Sequence, residues 1–364
     1  MSMSVRERML ATLHNRMPDQ IPAAIYSRYN RSGETERAAR NCGMGISHFE
    51  PPVSLMAPPW HLHPGYLSEV KGVEFNITFT WEWGKEIETR TYQTPVGNIS
   101  QRITRDPSYG SDWISEYYIK DLQDYSTIRY IVENTVFQER PAAVCQKKYD
   151  LGQDGIVLGR VDRLPFQKLL IELVGPERLF IDLAEDPAPI EDLLEAMTAR
   201  QEEQFNMALK SEAEVIWQPD NVTADMTHPR YFNRYLAPLY RRFGDACHAV
   251  GKLYAVHMDG RLDAIKTQIA GSPIDVVESF SLAEVGGNLT VRDALAAWPG
   301  KVICPNFPAS LAGASVGEIT SYVQKLAADF TGYPFMLQVS EDIPLQSYGS
   351  VLPAICHGIA GYPK

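Results

Sequence analysis

From about residue 151 onward the chain repeats one pattern, a short apolar run that ends in polar residues followed by a stretch with helical apolar spacing. Alternation of this kind builds βα units, and βα units in series require a parallel sheet. Residues 155–160, 213–217, 252–257, 274–278, 301–304 and 334–339 read as strands, and residues 21–26 add a seventh. The eighth is not evident, although residues 177–182 are a weak candidate that reads at least as well as a helix. Residues 231–250, 315–329 and 347–360 carry apolar side chains at spacings of three and four, as amphipathic helices do. The order predicts an α/β fold of the (β/α)8 TIM-barrel type. A length of 364 residues with 45% hydrophobic content suffices for one barrel domain spanning 1–364.

Residues 30–150 interrupt the order and are rich in Pro, Trp and Tyr. Within them Phe75-Asn-Ile-Thr-Phe-Thr-Trp81 alternates apolar and polar residues, Glu82-Trp-Gly-Lys85 turns, and Glu86-Ile-Glu-Thr-Arg-Thr-Tyr92 alternates again. This is the pattern of a β-hairpin. The segment is expected as an insertion after the first strand, serving as a lid or a docking surface over the carboxyl ends of the strands.

Charge and cysteine content narrow the function classes. Lys and Arg total 34 against 45 Asp and Glu, a net charge of -11. No basic excess is available to neutralise phosphates, so no nucleic-acid partner is expected. The N-terminus lacks an apolar signal core and no run approaches the ~20 apolar residues of a membrane span, so a cytoplasmic protein without a membrane partner is expected. Cys42, Cys145, Cys247, Cys304 and Cys356 are scattered and form no CxxC pair, which indicates neither a disulfide framework nor a zinc knuckle.

In a barrel the chemistry sits where the strands finish. The run ending in His257-Met-Asp259-Gly260 delivers an imidazole and a carboxylate two residues apart, on one side of a strand, to a glycine turn. The structural alternative is a core histidine followed by a helix-capping aspartate. The other strand ends supply Tyr26 and Arg28, Arg160 and Asp162, Asp220 and Asn221, Glu278, Cys304 and Asn306, and Ser340-Glu341-Asp342. Several carboxylates crowded around one histidine need a cation, a shared proton or a basic partner. His257, Asp259 and a third group from a later strand match the three-ligand open site of a catalytic zinc. Glu341 is the better-placed third ligand, because Cys304 sits in an apolar run and reads as a buried small hydrophobe. Asp220, His257, Asp259 and Glu278 are thus the candidate catalytic residues, with His257, Asp259 and Glu341 as the metal set. Tyr26, Arg28, Arg160, Asn221, Asn306 and Tyr348 are candidate substrate contacts. Thr227 and Pro229 look like the cap and first turn of a helix. His61 and His63 read as part of a packed Pro-rich loop, and no dinucleotide or GKS/T phosphate loop is present.

Further stretches recur in a telling order. They are Arg6-Glu-Arg-Met-Leu-Ala-Thr-Leu13 with Pro18-Asp-Gln-Ile-Pro22, Tyr92-Gln-Thr-Pro-Val-Gly97, Asp220-Asn221 followed by Met226-Thr-His-Pro229 and Tyr231-Phe-Asn-Arg-Tyr-Leu-Ala-Pro238, and Gly251-Lys252 running into His257-Met-Asp-Gly260. In these the chain resembles, over nearly its whole length, the uroporphyrinogen decarboxylase superfamily and specifically its cobalamin-dependent methyltransferase branch. The resemblance implies a (β/α)8 barrel with its cleft at the strands' carboxyl ends. It also implies methyl transfer to or from a corrinoid on a partner protein, with zinc as Lewis acid. Such enzymes hold zinc with a His-x-Cys pair and a later Cys, whereas here the pair is His257-x-Asp259 and Ser340-Glu-Asp-Ile-Pro344 contains no cysteine. A harder ligand set suits a small O- or N-methylated donor better than a thiol. Two alternatives stand beside this expectation: metal-free decarboxylation of a tetrapyrrole, and a non-catalytic corrinoid-binding protein. The former lacks the family's arginine loop, since residues 23–31 keep only Arg28 and Arg31. The aromatic residues of the insertion are compatible with a homodimer.

Overall fold

The computed structural model describes residues 2–106 and 111–360, so residues 107–110 of the insertion lie outside the described part. Eight parallel strands form the central sheet. In chain order they are β1 (Ala23–Tyr26), β2 (Met44–Glu50), β3 (Gly155–Arg160), β4 (Val215–Gln218), β5 (Leu253–His257), β6 (Val276–Phe280), β7 (Val302–Pro305) and β8 (Leu337–Val339). Each strand pairs with its successor from β1 to β7, and β8 pairs with β1. Isolated parallel bridges Ile303 to Phe335 and Asn306 to Gln338 join the β7 and β8 regions and bring the ring close to closure. The sheet is the barrel expected from the βα alternation.

Strand alternation sets what fills it. Ala24, Ile156, Leu158, Val215, Trp217, Ala255, Val276, Val302, Cys304 and Met336 form one buried cluster, sealed at the base by Met9 and Leu13 of the N-terminal helix Val5–Leu13. That helix starts at a capping box in which Ser4 and Glu7 satisfy each other's backbone donors.

The strand missing from the sequence reading is β2, Met-Gly-Ile-Ser-His-Phe-Glu, and the antiparallel insertion therefore follows the second strand. Residues 177–182 lie in the helix Pro176–Glu185, entered through Gly175 at a φ of 82° with proline in the first turn. The helix after β4 is capped by His228, whose side chain accepts from the Arg230 N–H; Thr227, the expected cap, is buried instead.

Gly155 opens β3 where the chain passes closest to β2. A Cβ there would stand 2.3 Å from the Ile46 carbonyl oxygen, a backbone atom that cannot swing aside. Gly155→Ala should therefore lower stability by about 1–3 kcal/mol, read as a drop in Tm by calorimetry; an unchanged Tm would contradict this packing.

Two compact units are distinguishable, and the barrel strands all belong to the one made of residues 1–50, 142–160 and 211–364. The other comprises residues 51–141 and 161–210. Its four-stranded antiparallel sheet runs through Glu74–Glu82, Lys85–Thr94, Gly97–Asp106 and Ser111–Glu116. The expected hairpin is its first pair, closed at Glu82 opposite Lys85. Asp162 lies in this second unit, fully buried, bonded to Lys168 at 2.9 Å and to the Met56 N–H at 2.6 Å. Lys168 also meets Glu172, which Arg163 holds in turn at 2.7 Å. Burial works against charging Glu172, but the two cations more than offset it and hold its carboxyl down at about 2. Among the described residues no helix is long and apolar enough to cross a membrane.

Candidate active site

The registers β4 to β5 to β6 decide the site. His257 ends β5 directly beside Glu278 of β6, and Glu278 in turn pairs with Cys304 of β7. Trp217 of β4 stands beside Arg160 of β3. Alternation turns these side chains to the barrel axis, where Tyr26 of β1 joins them.

Glu278 is the hub. Its carboxylate is almost wholly buried, yet it has three donors. The Tyr26 hydroxyl donates to Oε1, the Trp217 indole N–H donates to Oε2 at 2.9 Å, and His257 Nδ1 approaches the same Oε2 at 2.6 Å. Next to it Ser279 adopts a φ of 61°, and the ladder to β7 slips between Glu278 and Phe280. A bulge of this kind re-aims the neighbouring side chain and is commonly found beside active sites.

His257 spans the gap between buried and open. Its Nδ1 faces Glu278, while Nε2 lies 3.7 Å from Asp259 Oδ2, on a carboxylate that is about two-fifths exposed. The turn Asp259-Gly260 is possible because Gly260 has a φ of 81°. Asn221, itself at a φ of 48°, steadies Asp259 with an amide bond of 3.3 Å. Burial alone pulls the imidazole pKa down, but the charge of Glu278, the bond to it and the nearby Asp259 carboxylate outweigh it and raise the pKa to about 9. At neutral pH the ring is an imidazolium whose Nε2 lies on the side of the part-exposed Asp259. Burial, reinforced by Glu278, also keeps the Tyr26 hydroxyl protonated far above its ordinary range.

Aromatic groups wall this network. Phe49 packs at 4.2 Å from the Trp217 ring and 4.6 Å from Tyr26, and the Arg160 guanidinium lies 5.7 Å from the Trp217 centroid. Arg28 lies 4.5 Å from the centre of the Tyr29 ring, which stacks on Tyr26. The structure thus gathers Tyr26, Arg28, Arg160, Asn221, His257, Asp259 and Glu278.

The remaining candidates stand differently. Asp220 is fully buried and accepts the Tyr240 hydroxyl at 2.6 Å, a placement that suits an anchor for helix Ala237–Ala249 more than a proton carrier. Glu341 accepts from the Asn306 amide at 2.8 Å and from the Ala309 N–H at 3.4 Å. Tyr348 opens helix Tyr348–Ala360 with its hydroxyl buried, and burial together with Asp342 pushes its pKa up to about 12. Cys304 is buried within the apolar cluster, and burial drives its thiol far above the ordinary range. Among the described residues no three His, Cys, Asp or Glu side chains stand in an arrangement able to hold a metal ion. His257, Asp259 and Glu341 are thus not drawn together as one ligand group in this structure, and Glu341 is held by Asn306 and Ala309 instead.

Trp217 and Phe49 were not singled out from the sequence as site residues. Trp217 had a readable signal, since it occupies the inward parity of β4 with Val215. A second His-x-acid pair, His48 and Glu50 on β2, is joined at 3.1 Å, with His48 Nδ1 bonded to the Ser27 hydroxyl at 2.8 Å. It alternates with Phe49, however, and so belongs to the other side of the strand.

The profile of the uroporphyrinogen decarboxylase (URO-D) family matches residues 165–345. Residues 165–345 thus carry a uroporphyrinogen decarboxylase (URO-D) family domain. The URO-D match takes in Trp217, His257, Asp259 and Glu278, whereas Tyr26 and Arg160 precede it. No curated protein matches the chain. Among solved structures, a methyltransferase from Methanosarcina mazei shares 15% sequence identity, covers 97% of this chain and 98% of its own, and superposes with a TM-score of 0.57. That likeness is one of fold. A chitinase from Chromobacterium violaceum ATCC 12472, at 10% identity over 93% of this chain and 99% of its own, reaches a TM-score of 0.39, too loose to bear on the fold.

Proposed function

We propose that this protein is a methyltransferase of the URO-D superfamily that passes the methyl group of a small O- or N-methylated compound to a corrinoid carried on a partner protein. Support comes from the family match and from the fold shared along nearly the whole chain with the Methanosarcina mazei methyltransferase. The single observation that carries the chemistry is His257, a buried imidazolium clamped by Glu278, with Nε2 beside the part-exposed Asp259.

The corrinoid, when present, supplies the nucleophile that accepts the methyl group. When the carbon–heteroatom bond breaks, its electron pair goes to the heteroatom, and the proton that neutralises that charge comes from His257 Nε2. Glu278 stabilises the imidazolium before transfer, and Tyr26 and Trp217 fix the orientation of Glu278. Asp259, part-exposed and 3.7 Å from Nε2, offers the route by which the ring regains a proton from solvent. In this reading the charged imidazole itself supplies the electrophilic assistance at the departing heteroatom.

The test is the visible spectrum of cob(I)alamin, or of the corrinoid protein, mixed with the enzyme and methoxyaromatic or methylamine donors. Donor-dependent loss of the reduced corrinoid spectrum supports the reading, and inertness towards every such donor sinks it. The rate is expected to be level at neutral pH and to fall about tenfold per unit above pH 9, because the required form of His257 is the protonated one. A rate that rises through this range would contradict the proton-donor role.

A second reading draws on the family match itself. A carboxylated tetrapyrrole could lose CO2 while His257 protonates the carbon left behind. Turnover of uroporphyrinogen, with no response to methylated donors, would select it.

A further inference from the structure

The strand Glu74–Glu82 is the outermost of its antiparallel sheet, and among the described residues its one strand neighbour is Lys85–Thr94. Eight of its nine residues are exposed. Soluble proteins blunt such edges with charge, proline or short length. This one is long and carries no charge between its terminal glutamates.

Aromatic side chains make the edge costlier still. Phe79 is 55% exposed, Trp81 73% and Trp83 99%. Trp83 and Gly84 form the two-residue turn with φ values of 53° and 75°. That geometry favours Asn-Gly, and a bulky side chain at its first position is disfavoured by about 1–2 kcal/mol. Folding alone does not account for a fully exposed tryptophan there.

We propose that this edge pairs antiparallel with the same edge of a second copy of the chain, around a two-fold axis at Thr78. The sequence Glu-Phe-Asn-Ile-Thr-Phe-Thr-Trp-Glu reads alike in both directions in chemical type. With Thr78 opposite itself, Ile77 meets Phe79, Phe75 meets Trp81, Asn76 meets Thr80, and Val73 lies under Trp83. The backbone agrees with this register. The ladder to the neighbouring strand closes at Glu82 and Lys85, and hydrogen-bonded pairs alternate from there. The N–H and C=O groups of Phe75, Ile77, Phe79 and Trp81 therefore point to the open edge, and odd-numbered residues pair with odd-numbered ones when the axis passes through Thr78. Each strand's terminal Glu74 falls opposite Glu82, whose charge Arg102 already balances.

The area is adequate. At roughly 150–250 Å² per buried aromatic, Phe79, Trp81 and Trp83 remove on the order of 900 Å² over two copies. Main chain, Phe75 and Ile77 carry the total to the ~1,000 Å² expected of a specific interface.

Sedimentation equilibrium of the full chain at micromolar concentration is expected to show a dimer. Ile77→Pro removes an edge N–H without touching the internal ladder, so it should raise the dimer dissociation constant at least about 100-fold. Thr78→Cys is expected to give an interchain disulfide under mild oxidation, because residues facing each other at a non-hydrogen-bonded site have Cα atoms about 4.5 Å apart. A monomeric wild type, including one that associates only with a different protein, overturns the proposal. So does a dimer that survives Ile77→Pro unchanged. If Ile77→Pro does not fold, the Thr78→Cys result decides: cross-linking supports the register, and a dimer that fails to cross-link overturns it.

Discussion

His257→Gln lowers kcat/KM for methyl transfer by about 10²–10⁴-fold and leaves the barrel folded. Glutamine keeps an amide donor near Glu278 but cannot carry the proton that the departing heteroatom needs. The Trp217 and Tyr26 bonds to Glu278 survive, so thermal stability should fall by only about 1–3 kcal/mol. A folded His257→Gln enzyme with a wild-type rate would remove the central residue from the mechanism. The residual activity should also lose its alkaline decline, since the group that titrates is gone.

Glu278→Ala acts on both stability and rate, because it leaves the Trp217 N–H, the Tyr26 hydroxyl and a buried imidazole without their common acceptor. Breaking a buried, paired charge in this way destabilises by about 3–5 kcal/mol. Glu278→Gln separates charge from shape. It keeps an acceptor oxygen for the neighbouring donors and removes the charge that offsets burial at His257, so the titration midpoint falls from about 9 towards 6.5. The pH–rate profile should move to the acid side by a similar amount. An unmoved profile would show that Glu278 does not set the charge of His257.

The pair also gives stability a pH dependence. The folded pKa of His257, about 9, exceeds its ordinary value of 6.5, so the native state holds its proton more tightly. The stabilisation is complete below about pH 6.5 and is lost as pH rises through 9.

Seven of the eight strands were legible because each is a compact apolar run. The eighth was hidden by its own chemistry: β2 contains Gly45, Ser47, His48 and Glu50, and its burial comes from neighbouring strands rather than from an apolar sequence. Gly45 is there because Met9 and Val5 of the N-terminal helix press against it, a contact no local pattern reports. At the site, the i, i+2 spacing placed His257 and Asp259 together correctly. The role of Glu278 as their buried counter-charge depended on the register of β5 against β6, which periodicity does not fix. Glu341 shows the reverse failure. It follows its strand as a metal ligand should, but the neighbouring Asn306 takes it up.

The most direct test is an NMR titration of the His257 ring in the full chain, assigned by comparison with His257→Gln. A midpoint near 9, which moves down in Glu278→Gln, is the result predicted. A midpoint at or below 6.5 in the wild type would mean that the ring is neutral where the reaction needs a proton, and the mechanism would not stand.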